Sequence, residues 1–189
     1  KSADARVIFD RERGKEHPQG AVAARVSPRP RGRGNLVTMG DFLPADPAEA
    51  RKLLPRIYLD AALEGVRDAM QSGAVTGYPV EDVEVVLTNV ERREGVTTLP
   101  GSRMAAGQAL REALAAASPV VMEPVMRVEI VVPDDFLGSS ISLFNTCGGK
   151  VENLEDNGTR KILSGTAPLR RLFGFSTSLR SATQGRAGL

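Results

Sequence analysis

The sequence predicts an α+β protein of two domains, residues 1–118 and 119–189. Three observations carry that expectation. Short runs of β-branched and apolar residues that read as strands are interspersed with stretches of helical apolar period. An Ala-rich helical stretch stops before Pro119, which separates two self-sufficient patterns. Beyond Pro119 the elements follow the order β-α-β-β-α, one strand short of a ferredoxin-like split β-α-β sandwich.

In the first domain, Ala5–Phe9 and Ala21–Val26 lean towards strand, with breaks at Gly14, Pro18 and Gly20. The segment Pro28-Arg29-Pro30-Arg31-Gly32-Arg33-Gly34 cannot form the centre of a strand and reads as a basic loop. Residues 44–53 open a helical region with proline near its first turn. From Leu54 to about Ser72, Ile57, Ala61, Ala62, Val66, Ala69 and Met70 recur at helical spacing, and Gly73 closes the helix. Val80 to Leu87 alternates as a strand, with Val83, Val85 and Leu87 on one face and Asp82, Glu84 and Val86 on the other. A polar stretch from Asn89 to Ser102 precedes a helix from about Arg103 to Ala117.

The second domain opens with a strand over Val125–Val132. Pro133-Asp134-Asp135 then reads as a helix start, with carboxylates on the positive end of the helix dipole. That helix runs through Phe144 to Gly148-Gly149. Strands over Lys150–Leu154 and Lys161–Ala167 are joined by a turn at Asp156-Asn157-Gly158. Pro168 opens a last helix carrying Leu169, Leu172, Phe173 and Leu179. The last strand of the sandwich is missing from the pattern.

The net charge of +2 conceals an asymmetry. Residues 1–35 hold nine Lys/Arg against four Asp/Glu, and residues 160–189 hold six Lys/Arg and no acid, so the middle is strongly acidic. Basic ends on a nearly neutral chain point to a directional contact with nucleic acid. No apolar stretch is long enough to span a bilayer, and no signal-type apolar region is visible near the N-terminus. A single cysteine, Cys147, rules out an internal disulfide and a Cys-cluster zinc site, and fits a reducing cytoplasm.

Candidate catalytic groups are sparse. Gly148-Gly149-Lys150-Val151 lacks the upstream glycine and the Ser/Thr of a phosphate loop. His17 has no His, Cys or carboxylate companions at metal-ligand spacing. Cys147, beside two glycines, reads as a small core residue, and Asp134 and Asp135 read as helix-start charges. Asn157-Gly158-Thr159 has the form of a glycosylation site but reads as a turn. Binding remains. Arg29, Arg31 and Arg33 are planar bidentate donors suited to phosphate. The few aromatics are not interleaved with arginines, so recognition would be of nucleic-acid shape and phosphate rather than stacked bases.

Six features in one order make the chain resemble the C-terminal domains IV and V of the elongation factor G family. They are Glu123-Pro124-Val125-Met126, Pro133-Asp134-Asp135, Gly148-Gly149, Pro168-Leu169, Phe173-Gly174-Phe175 and the run Leu179-Arg180-Ser181-Ala182-Thr183-Gln184-Gly185-Arg186. Upstream, Leu54-Pro55-Arg56-Ile57-Tyr58, Gly77-Tyr78-Pro79-Val80 and Ala109-Leu110-Arg111-Glu112-Ala113 are similar to the family's fourth domain. The resemblance covers residues 21–186. It implies a ribosomal protein S5 domain 2-like fold for residues 1–118 and a ferredoxin-like fold for 119–189.

It also implies a role as the ribosome-contacting arm of a diverged elongation factor G-like translational GTPase, itself non-catalytic. An arm of a ribosomal-protection or ribosome-recycling relative is the alternative, and a stand-alone enzyme on the same scaffolds is a third reading. No cofactor belongs to this chain: GTP and magnesium would sit in an upstream GTPase domain of a parent protein. The expected partners are ribosomal RNA and protein, with no membrane and no DNA, and the expected state is a cytoplasmic monomer. Two loops at the tip of the fourth domain depart from the family pattern. Glu16-His17-Pro18-Gln19-Gly20 keeps only the glycine of the first. In the second, Arg93-Glu94-Gly95-Val96-Thr97-Thr98 places Arg93 where the family has histidine. Candidate RNA- or ribosome-binding residues are therefore His17, Gln19, Arg29, Arg31, Arg33, Arg93, Thr97, Arg180 and Arg186.

Overall fold

A computed structural model describes residues 1–12, 17–73 and 77–189. Arg13 and Lys15 of the basic N-terminal stretch, Glu16 of the first tip loop and the break expected at Gly14 lie outside the described residues. The chain divides into two compact units, Lys1–Val120 and Val121–Leu189.

The first unit is a four-stranded sheet covered by helices. Strands β1 (Ala3–Asp10), β2 (Gln19–Pro28), β3 (Leu36–Met39) and β4 (Val83–Glu91) lie in the order β1-β2-β4-β3. All neighbours are antiparallel except β3 and β4, which are parallel. Alternation selects the core: Val7 and Phe9 of β1 and Val22, Ala24 and Val26 of β2 are buried. Helices α2 (Arg56–Ser72) and α3 (Leu99–Ala116) cover that face with Ala62, Val66, Ala69 and Met70 and with Ala105, Ala106, Ala109, Leu110 and Ala113.

Four expectations change here, each for a local reason. The helical region over residues 44–72 is two helices, because Pro55 forces Leu54 into extended backbone (φ −136°, ψ 95°), ending α1 (Pro47–Leu53). Ile57, counted on the apolar face of α2, is exposed instead. Strand β4 continues past Leu87 because the β2–β4 register slips between Ala23 and Ala24, and the slip returns Val90 to the core. Helix α3 starts at Leu99 rather than Arg103: the Thr98 hydroxyl accepts the Gly101 N–H at 3.0 Å, and Pro100 occupies the first turn. Strand β3 is an addition, four half-exposed residues with no marked alternation.

In the second unit β5 (Val125–Val132), β6 (Lys150–Asp156) and β7 (Lys161–Pro168) form an antiparallel sheet in the order β5-β7-β6. A 3-10 turn at Asp134–Phe136 leads into α4 (Leu137–Thr146). The single last helix expected after Pro168 is two, α5 (Leu169–Leu172) and α6 (Phe175–Ala182). Gly174, at φ +79°, makes the left-handed corner between them. Val128, Ile130, Val132, Phe144, Leu163, Phe175 and Leu179 form the core. Among the described residues there is no fourth strand, yet its position is marked. Gly188 exchanges two hydrogen bonds with Val131, of 2.9 and 3.0 Å, on the edge of β5 away from β7. The ferredoxin-like order is thereby begun on the correct side.

Candidate nucleic-acid interface

The antiparallel path of β2 decides which candidate residues meet. His17 and Gln19 stand at its start and Arg29–Arg33 at its finish, so the two sets occupy opposite ends of the sheet. A ten-residue strand separates them by about 30 Å. Strand β4 runs the other way and delivers Arg93 and Thr97 to the His17 end. The structure thus brings together His17, Gln19, Arg93 and Thr97, and keeps Arg29, Arg31 and Arg33 apart from them.

At the tip the two loops are clamped side by side by one main-chain bond and one bond to the Thr98 hydroxyl. The Thr98 N–H donates to the Gln19 carbonyl at 2.9 Å, and the Gln19 N–H donates to the Thr98 hydroxyl at 3.2 Å. The second loop closes on itself. Thr97 donates its N–H to the Arg93 carbonyl (2.9 Å) and accepts the Arg93 N–H on its hydroxyl (2.9 Å), while Gly95 turns the chain at φ +74°. Thr97 therefore shapes the loop, and Arg93 is left exposed on it. Beneath, the Arg92 guanidinium lies 5.5 Å from the centre of the Tyr58 ring, a cation–π platform for the loop.

On the neighbouring loop His17 Nε2 lies 2.5 Å from Asp10 Oδ1, and Gln19 Nε2 donates to the same oxygen at 3.0 Å. A proton on His17 Nε2 serves Asp10, so the 3.1 Å approach of Gln19 Nε2 to that nitrogen is proximity rather than a further bond. Phe9, Asp10, Gln19, Glu91, Arg93 and Thr97 border a shallow hollow of about 120 Å³. Glu91 is engaged by Arg6 at 2.6 Å.

Asp10 was not among the sequence candidates. Its signal is its register: it pairs across the hairpin with Gln19. The Gln19 amide first, and His17 next, hold its carboxyl below the usual carboxylate range. A carboxylate with a lowered folded pKa contributes stability that is complete above its unfolded value of about 3.9. That contribution disappears as pH falls through the lower folded value. In an NMR titration Asp10 is expected to have a midpoint below that of free aspartate, and Gln19→Ala to move it upward. A midpoint at or above the free value would mean that the cluster does not form in solution.

In the second unit Arg180 is exposed on α6, and Arg186 lies 5.9 Å over the Phe136 ring. The Thr183–Arg186 run is a structural turn. The buried Thr183 hydroxyl donates to the Leu179 carbonyl at 2.7 Å and accepts the Ala187 N–H at 3.2 Å, while Gln184 and Gly185 take positive φ. Cys147 is half-buried. Among the described residues no three His, Cys, Asp or Glu side chains are grouped so as to hold a metal ion, and no helix is long and apolar enough to cross a membrane.

These features define a two-part α+β protein: a sheet-and-helix unit with a paired-loop tip, then a ferredoxin-like unit. Residues 1–118 match the family description "Elongation factor G, domain IV" and residues 120–189 match "Elongation factor G C-terminus". The chain belongs to the elongation factor G family, a family of translation elongation factors. Elongation factor G 2 of Syntrophomonas wolfei subsp. wolfei (strain DSM 2245B / Goettingen) is 41% identical over 187 residues, which cover 99% of this chain and 26% of that protein. A crystal structure of a Thermus thermophilus protein aligns with a TM-score of 0.79 at 21% identity, over 100% of this chain and 27% of its own, a likeness of fold alone. The chain thus spans about a quarter of the length of the relatives it matches.

Proposed function

We propose that the chain is the ribosome-contacting, non-catalytic arm of a diverged elongation factor G-like translational GTPase, with residues 1–118 and 119–189 as its two domains. The observation that carries the reading is the clamped tip, where main-chain groups and the Thr97 and Thr98 hydroxyls tie two loops in place and Arg93 is presented on one of them. An exposed guanidinium carried on a backbone held in place suits phosphate and shape recognition of RNA. Family membership makes the ribosome the natural source of that RNA. GTP hydrolysis, in this reading, belongs to an upstream domain of a parent protein, and the arm works as a cytoplasmic monomer.

Arg93 and the His17-Pro18-Gln19 segment also favour a second version of the same role, an arm serving recycling or ribosome protection. Both tip loops differ from the family pattern while the scaffold is kept.

Pelleting of this chain with ribosomes at increasing salt tests the proposal. Arg93→Glu is expected to weaken binding on the order of tenfold near 0.1 M salt and to flatten the log–log salt dependence by about one unit. If the unaltered chain fails to pellet at any ionic strength, the ribosome reading is wrong.

A further inference from the structure

The basic loop at the far end of the sheet has a feature that its composition hides: it is folded around a carboxylate. Asp82 precedes β4 with a left-handed backbone (φ +56°), outside the strand face on which its sequence places it. Its Oδ2 accepts the Gly32 N–H at 2.9 Å and its Oδ1 accepts the Gly34 N–H at 2.8 Å. Its carbonyl accepts the Arg29 N–H at 2.8 Å. The Arg29 guanidinium turns back into the loop and donates to the carbonyls of Arg33 (3.1 Å) and Gly34 (2.7 Å). Asn35 completes the frame by accepting the Val83 N–H at 3.1 Å and donating to the Val80 carbonyl at 2.7 Å.

The three arginines therefore have different roles. Arg29 is half-buried and serves as an internal tie. Arg31 and Arg33 are exposed, and among the described residues neither side chain has a hydrogen bond or an ion pair. Gly32 and Gly34, at φ +79° and +65°, give the loop the shape that aims their N–H groups at Asp82.

We propose that Asp82 is a positioning residue that holds the loop so that Arg31 and Arg33 grip the phosphate backbone of an RNA strand, at a contact separate from the tip. The inference rests on the RNA-contact reading above. Two exposed guanidinium groups on a tied loop lose less freedom on binding than the same groups on a loose Gly/Pro segment. The Gly32 amide, then the Gly34 amide, hold the Asp82 carboxyl below the usual carboxylate range, so it remains a charged acceptor at neutral pH.

Charge counting and positioning predict opposite signs for one substitution. Asp82→Asn removes a negative charge beside a basic loop, which by attraction alone would tighten RNA binding. As a positioning residue, its loss should weaken binding. Asparagine has the same size and tolerates positive φ, so the backbone is not strained.

Protein-free ribosomal RNA and intact ribosomes are titrated with the full chain at several salt concentrations. Arg31→Ala/Arg33→Ala is expected to lose about tenfold in affinity and about one to two units of salt slope. Asp82→Asn is expected to lose about three- to tenfold, to speed amide exchange at Gly32 and Gly34, and to add nothing further in the Arg31→Ala/Arg33→Ala background. Unchanged or tighter binding by Asp82→Asn overturns the proposal. So does an Arg31→Ala/Arg33→Ala defect seen with ribosomes but not with protein-free RNA, which would indicate an acidic protein partner. If the arginine pair is silent while Arg93→Glu weakens binding, the basic-loop contact is wrong and the tip reading stands. If the unaltered chain binds neither RNA nor ribosomes, both are wrong.

Discussion

Phe144→Ala is expected to unfold residues 121–189 near physiological temperature while residues 1–120 keep their structure. Phe144 is fully buried and its ring centre lies 5.9 Å from that of Phe175, tilted at 58°. The ring is also wedged against two glycines. A Cβ on Gly149 would lie 2.6 Å from it and one on Gly165 2.9 Å, so the backbone of α4, β6 and β7 is shaped around it. Removing a buried phenylalanine costs about 3–5 kcal/mol. A unit of this size has only roughly 3–10 kcal/mol of stability, so the loss approaches the whole. The two cores share no residue, which confines the damage. Hydrogen exchange by residue measures it: protection should vanish from β5–β7 and remain in β2 and α3. In a thermal scan the second unit's transition should fall by on the order of 20 °C. A fall of only a few degrees would mean that the site collapses around the gap.

Gly65→Ala in α2 is expected to destabilise the first unit by about 3 kcal/mol, although helix propensity alone predicts a gain of about 1 kcal/mol. A Cβ there would stand 2.8 Å from the Arg103 carbonyl carbon of α3 and closer still to its oxygen. The obstacle is backbone, which cannot swing aside as a side chain could, so the helices must separate. Gly138→Ala supplies the contrast. That glycine is exposed in α4 with nothing within 4 Å of its Cβ position, and a small gain is expected. Urea melts of both variants give the comparison. The same sign at both sites would refute the close-approach account.

The fold was largely legible because its signals are periodic. The alternation in β1 and β2 and the helical spacing of Ala62, Val66 and Ala69 are properties of short windows, and burial follows them. What escaped depends on partners distant in sequence. The slip that extends β4 to Glu91 arises opposite Ala23 and Ala24, about sixty-five residues earlier. Thr98 looks like loop until Gln19 and Gly101 are both seen bonded to it. The tip was legible only through the family order of motifs, since nothing local relates Arg93 to His17. Asp10 escaped because Gln19 reaches it from the opposite strand and His17 from the segment leading into that strand. Arg29, Arg31 and Arg33 looked equivalent until the position of Asp82 separated the tie from the two exposed groups.

The contact of Gly101 with the start of β2 has a mechanical consequence. A Cβ on Gly20 would lie 2.5 Å from the Gly101 carbonyl carbon, so the hairpin at the tip rests directly on the first turn of α3. Further along, α3 meets α2 at Gly65 with no side chain between them. A push on the tip therefore does not have to bend a free hairpin. It passes as compression from strand to helix to helix through backbone contacts, which are far stiffer than side chains. The unit is built as a strut, and three glycines are its bearing surfaces.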